Sequence, residues 1–382
     1  MKRDHAQPRI PALLPLLFGL LIAPVVLSSG HRAAAQQATP PALSCTPSSV
    51  TAEVPAAATP GTTSSTAPTS NLKKVKMGYV PVSIFAPVFV AKEKGYFAEQ
   101  GLDVDLEPFP GGSDPVVLTA SGQLDLGIGG AGPAFWNAIA QGLPIKLIAP
   151  GHAEGNPVAT PLMISKASCE SGAIASVADL KGKKVSVNAR GATEYWLSQA
   201  LSTGGLTLDD IDLQTLAFPD AVAALQSGAV DAAMVGEPLA TKAEQDGIAV
   251  RLATDFPVQD VQPTVIFANE DFLKNNPEAA TGLVTAYLKA SRDLTGDGFL
   301  DPTNLAIIEQ YTKVPAALIA ASVKPVYAVD GQINFDGLAK LQTFFRERGL
   351  LEYDKDLDPK QIADTQYVDA ALAKLGPYQA SS

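Results

Sequence analysis

Cysteine is nearly absent from this chain. Cys45 and Cys169 are the two present in 382 residues, so a disulfide framework is excluded and one bridge is the most that can form. Histidine is as scarce, with His5, His31 and His152 alone. Removal of an N-terminal leader would keep only His152, too few donors for a conventional zinc site. No metal and no cofactor are therefore expected. Basic charge is in deficit, with 28 Lys and Arg against 39 Asp and Glu and a net charge of −11. No basic face for nucleic acid follows from that balance. Past the N-terminal region no apolar run is long enough to span a membrane. No Gly-rich loop carries the Lys-Ser/Thr of a phosphate-binding P-loop. Gly127-Ile128-Gly129-Gly130-Ala131-Gly132 loosely resembles a dinucleotide fingerprint, but it lies far from the first strand and has the wrong spacing.

What is there begins with a leader. Lys2, Arg3 and Arg9 precede the mostly apolar residues 12–27, which contain prolines, and Ala33-Ala34-Ala35 offers small residues for cleavage. This is the layout of a secretory signal peptide over residues 1–35, so the mature protein is expected to be exported. Residues 36–72 are rich in Ala, Pro, Thr and Ser without an apolar period, and read as a disordered tether without a core of its own. Cys45 lies within it. A lipid on Cys45, a disulfide to Cys169 and a free thiol all stay open, since Ala42-Leu43-Ser44-Cys45 only faintly matches a lipidation box. The compartment is extracytoplasmic, periplasmic or cell-surface.

The body of the chain is written twice. Ser121-Gly122-Gln123-Leu124-Asp125-Leu126-Gly127-Ile128 is echoed by Ser227-Gly228-Ala229-Val230-Asp231-Ala232-Ala233-Met234. Each copy reads helix, Gly stop, short apolar strand, then a loop with Gly and Pro. The echo extends upstream to strands at 75–79 and 185–188, each followed by loop, helix and a second strand. Strands alternating with helices argue parallel sheets, hence an α/β fold of two similar lobes. The expected division is 73–165 for the first part of lobe 1, 166–262 for lobe 2, and 263–382 for a helical return to lobe 1. Strands at 161–165 and 264–268 are expected to cross between the lobes as a hinge, with Ser165 and Thr264 side by side. The helices after residue 269 are expected to cover the first lobe.

Ligands of parallel α/β sheets bind beyond the carboxyl ends of the strands. That rule selects the loops at 81–85, 110–113, 129–133, 188–194, 218–220 and 236–238. The candidate ligand-binding residues are Ser83, Phe85, Gly112, Ser113, Gly130, Ala131, Trp136, Asn188, Arg190, Thr193, Tyr195, Asp220 and Glu237. None forms a nucleophile–base set, so no catalytic residue is expected. The glycines suit close backbone approach to a ligand as well as plain turns. Helix N-termini and Arg190 suit an anion. Glu237 can take an ammonium, while Phe85, Trp136, Tyr195 and Trp196 can wall an apolar body. A small organic anion or zwitterion is thus the expected ligand, with a flat heterocycle as the alternative.

Gly78-Tyr79-Val80-Pro81, residues 85–97, Gly101-Leu102-Asp103-Val104, residues 179–185 and Gly236-Glu237-Pro238 together resemble substrate-binding proteins of the nitrate/sulfonate/taurine (NMT1/THI5-like) family. The resemblance covers about residues 73–375. It implies a type II periplasmic binding fold whose two α/β lobes are joined by a two-strand hinge. It further implies a non-enzymatic protein, acting as a monomer, that passes its ligand to an ABC permease and, through it, to the ATPase. Sulfonates or taurine are the first ligands it suggests; a thiamine-precursor pyrimidine or riboflavin is the alternative. A pyrimidine synthase shares the superfamily, but its cysteine-rich run and active-site histidine are not evident here.

Overall fold

The computed structural model describes residues 43–45, 71–111 and 113–379. The expected leader, most of the expected tether and Gly112 lie outside them. In chain order the strands are β1 (Lys73–Tyr79), β2 (Leu102–Pro108), β3 (Leu126–Gly130), β4 (Ile145–Pro150), β5 (His152–Ala153), β6 (Leu162–Ser165), β7 (Lys184–Val187), β8 (Asp212–Thr215), β9 (Ala232–Met234), β10 (Ala249–Ala253), β11 (Thr264–Asn269) and β12 (Val326–Tyr327).

Two five-stranded sheets repeat one plan. The first has the order β2-β1-β3-β11-β4, and the second, read from its other edge, β8-β7-β9-β6-β10. In each sheet three parallel strands are followed by an antiparallel fourth. The echoed strands β3 and β9 hold the same third place. Both echoes are preceded by a left-handed glycine, Gly122 at φ 75° and Gly228 at φ 74°, where a helix stops and the chain turns into the sheet. β3, β4, β6 and β11 carry almost unbroken apolar runs because both faces of the sheet are covered.

The crossings differ from the sequence expectation. β6 lies wholly in the second sheet, between β9 and β10, and β11 wholly in the first, between β3 and β4. Ser165 pairs with Ala249 and Thr264 with Gly130, in different sheets. The boundary therefore moves from Ser165 to ahead of Leu162, because those apolar residues complete the second sheet. The crossings themselves are residues 151–161 and 254–263, which run together. Val158 N donates to Thr254 O at 2.9 Å, and Asn156 Nδ2 to Asp255 Oδ1 at 2.8 Å. β5 pairs antiparallel with β12.

The return helices are also divided. Pro277–Asp293 and Pro302–Thr312 bury Leu283, Tyr287, Leu305 and Ile308 against Phe89 and Val90 of the first lobe. Phe335–Glu347 does not join them. Its Leu338, Leu341 and Phe345 enter an apolar cluster holding Phe267 and Leu147 of the first sheet and Val185 and Val187 of the second. Just beyond it Arg348 reaches Glu194 at 2.9 Å and Asp209 at 3.1 Å. This helix bridges the lobes, because its apolar stripe finds cover on both.

Cys45 is disulfide-bonded to Cys169. Leu43 and Cys45 pack on the second cluster, so this part of the expected tether is seated on the body. Among the described residues no helix is long and apolar enough to cross a membrane.

Candidate functional site

An apolar-walled cavity of about 100 Å³ lies at the carboxyl ends of the strands, lined from both lobes and both crossings. Val80, Val82 and Phe85 come from the loop after β1, and Phe218 from the start of the helix after β8. Gly130 and Gly132 follow β3; Asn188, Ala189, Arg190 and Thr193 follow β7. The loops after β3 and β7 meet: a Cβ on Gly132 would stand 3.8 Å from the Cα of Gly191.

Two helices begin there, Pro133–Ala140 and Ala192–Thr203, with glycine at each N-cap. Their backbone bonding begins with Phe135 N to Gly132 O and Glu194 N to Gly191 O. Ahead of those bonds, the N–H groups of Ala134, Ala192 and Thr193 have no acceptor among the described residues. Pro133 has no N–H to leave over. Three backbone donors and two positive dipole ends thus converge on one cavity.

The charged side chains are more committed than their types suggested. Arg190 bonds Glu194 through Nε and, at 3.0 Å, through Nη2; that carboxylate is fully buried and shared with Arg348. Arg190 Nη1 has no hydrogen-bond partner among the described residues. Glu237 is fully buried beside the cavity, but both its oxygens are taken. Oε1 accepts from Arg251 Nη2 at 2.8 Å, Thr241 Oγ1 at 3.1 Å and Val323 N at 3.3 Å; Oε2 accepts from Thr241 N at 3.1 Å. Burial works against charge on Arg251, yet Glu237 and Glu244 outweigh it and hold its pKa above the ordinary value. The backbone of Glu237 adds bonds to Ser83 N and Ala159 O. This residue knots lobe 2 to lobe 1 and to the crossing.

Of the residues selected from sequence, Phe85, Ser113, Gly130, Asn188, Arg190, Thr193 and Glu237 line the cavity. The others do not. Ser83 is buried behind the wall, its carbonyl accepting from Tyr327 Oη at 2.7 Å. Ala131 is buried in the β3–helix turn, bonded to Pro263 O. Trp136 is core, with its indole N–H on Ala131 O at 3.0 Å. Tyr195 packs edge-on against Phe344, which turns its neighbour Trp196 to the cavity. Asp220 is exposed on the first turn of its helix. Gly112 is outside the described residues. Gly127 serves packing rather than a ligand, since a Cβ there would lie 2.4 Å from the Phe267 ring.

Sequence reasoning missed His152, Glu154, Thr160 and Thr264, all cavity-lining residues of the crossings or of the β11 start. The signal available was His152-Ala153-Glu154, polar side chains between two apolar strands. Glu154 is held by Ala159 N at 2.7 Å and Thr160 Oγ1 at 3.2 Å. Among the described residues there is no group of three or more metal-ligating side chains.

Two duplicated sheets, each with an antiparallel fourth strand, and a ligand-sized cavity at their strand ends define a type II periplasmic binding fold. The chain belongs to the NMT1/THI5-like family, whose family model matches residues 83–297. It is 26% identical over 245 residues to the nitrate/nitrite binding protein NrtA of Nostoc sp., covering 59% of this chain and 55% of that one. The chain thus spans about half the length of that relative. It is 28% identical over 315 residues to a putative binding protein, BAB2_1146, of Brucella abortus, covering 78% and 92%. Among solved structures, the alkanesulfonate-binding protein SsuA of Xanthomonas axonopodis bound to MOPS superposes with a TM-score of 0.63 at 19% identity, covering 76% of this chain and 98% of that one.

Proposed function

We propose that the chain is the extracytoplasmic solute-binding protein of an ABC importer. It captures a small organic anion between its lobes, as a monomer, and delivers it to a membrane permease without chemical change. One observation carries this reading: helix N-termini from both lobes, with unbonded N–H groups, converge beside Arg190 on an apolar-walled cavity. The donors suit an acid group and the walls an organic body. A sulfonate is the first choice. The names of two relatives agree in kind, since nitrate and alkanesulfonates are both oxyanions. A zwitterion such as taurine fits less well, because Arg251 already neutralises Glu237.

A second reading, an aromatic heterocycle, is favoured by Phe85, Trp196 and Phe218 on the walls. The cavity of about 100 Å³ is smaller than the ~150 Å³ that holds benzene. A three-ring flavin would need the lobes further apart.

Thermal-shift screening of ethanesulfonate, taurine, MOPS, nitrate, bicarbonate, pyrimidines and riboflavin tests both readings. A ligand at a hundred times its Kd stabilises the fold by about 2.7 kcal/mol. Arg190→Ala should cost a sulfonate roughly 1.5–3 kcal/mol of binding. A shift with riboflavin or a pyrimidine, and none with any acid, overturns the anion reading. Turnover of the bound ligand overturns the binding-only reading.

A further inference from the structure

Two buried N–H donors on the cavity wall lack an acceptor among the described residues. Thr264 Oγ1 lies 2.8 Å from the backbone N of His152 and 2.8 Å from its Nδ1. The backbone N–H can only donate, so Oγ1 accepts there. The hydroxyl proton of Thr264, itself buried, then has Nδ1 as its acceptor among the described residues. Buried hydroxyls keep their donor bonded, which makes Nδ1 the acceptor and places the proton of the neutral ring on Nε2. Nε2 has no hydrogen-bond partner among the described residues. The nearby Glu154 Oε1 is 3.7 Å away, beyond a hydrogen bond.

Trp196 supplies the second orphan. It is 2% exposed and lines the cavity, and its indole N–H, a donor only, has no partner among the described residues. Buried donors without partners are rare in folded proteins and call for an explanation.

We propose that His152 Nε2–H and the Trp196 indole N–H are ligand contacts. The ligand therefore presents hydrogen-bond acceptors to this wall: an oxyacid such as a sulfonate or carboxylate, rather than an ammonium. This deepens the binding reading above and rests on it. It also assigns recognition to the crossing segment, the part of the chain that both lobes share. An acid held between the two donors touches lobe 2 and the connection at once.

Calorimetric titration with ethanesulfonate, propanoate and propylammonium tests the assignment on the wild type and on His152→Phe, His152→Gln and Trp196→Phe, with circular-dichroism melts as the folding check. Wild type should bind an acid and not propylammonium. His152→Phe and Trp196→Phe should each weaken the acid about tenfold or more, while His152→Gln, which keeps an N–H donor, should weaken it less. If His152→Phe fails to fold, Trp196→Phe and the milder His152→Gln still decide. Unchanged acid affinity in the folded variants overturns the contacts and leaves the binding reading intact; water would then satisfy both donors. Preference for propylammonium overturns the acceptor class. Failure of all three probes to bind wild type sinks the anion reading and this inference with it.

Discussion

The carboxylate of Asp125 takes the backbone N–H of Lys76 at 2.8 Å, and Asp125 N returns a bond to Lys76 O at 3.1 Å. In the second sheet Asp231 and Lys184 make the same exchange, at 2.9 Å and 2.8 Å. The repeated Gly-x-x-Asp is thus a fastening: the Gly ends the helix, and the Asp clips the third strand to the first. Asp125→Ala and Asp231→Ala should each cost about 1 kcal/mol, at the lower end for a charge-assisted bond because the sites are exposed. Urea unfolding measures it. Two variants as stable as wild type would make the echo decorative.

Glu194 is the buried carboxylate between Arg190 and Arg348. Glu194→Gln should destabilise by about 2–3 kcal/mol, near the lower end for a buried cluster broken on one side, since both guanidinia reach solvent. Arg348→Ala should loosen the bridging helix, Arg348 itself lying outside the cavity lining. Hydrogen exchange at 335–347 would report that; protection equal to wild type would argue against an anchoring role for Arg348.

The Cys45–Cys169 bond closes a loop with a sequence separation of 124. Replacing both cysteines by Ser should lower stability by about 2–5 kcal/mol, chiefly by freeing the unfolded chain. Unfolding with and without reductant measures it. A reductant-insensitive midpoint in the wild type would mean that the bond is absent or idle.

Strong acid should weaken two capping boxes of lobe 2. The backbone N–H of Ala175, then Ser176, hold Asp179 below the usual carboxylate range. Thr207, through its N–H and hydroxyl and with help from Lys181, does the same for Asp210. A lowered folded pKa gives stability that is full above the unfolded value of about 3.9 and is lost as pH falls through the folded one. Stability of an Asp179→Asn, Asp210→Asn double variant should therefore fall less steeply than wild type below about pH 4. Parallel acid limbs in chemical unfolding would contradict this.

Much of the fold was legible because its signals are local. Glycine stops, apolar strand runs and the strand–helix alternation are all written within a few residues. The insertion of β11 between β3 and β4, and of β6 between β9 and β10, was not, because pairing partners are chosen across long separations by shape. The site divided on the same line. Loops directly after β1, β3 and β7 could be named from the strand-end rule. Choosing Trp196 over Tyr195 depended on Phe344, a remote residue that claims one of two neighbours on a helix. His152 and Glu154 became visible only when the crossings were seen to pass the cavity.

The bond between Cys45 and Cys169 also changes the path of mechanical load. Lys73, the first residue of β1, belongs to the first sheet, whereas Cys169 belongs to the helix that follows β6 of the second. A pull on residues ahead of Cys45 reaches lobe 2 directly through the disulfide. Residues 46–72 are the other covalent path from Cys45 to β1. A protease cut among them would leave one covalent molecule under oxidising conditions and would free the N-terminal piece only on reduction. Lobe 2 is therefore the half to which the N-terminal piece is covalently fastened.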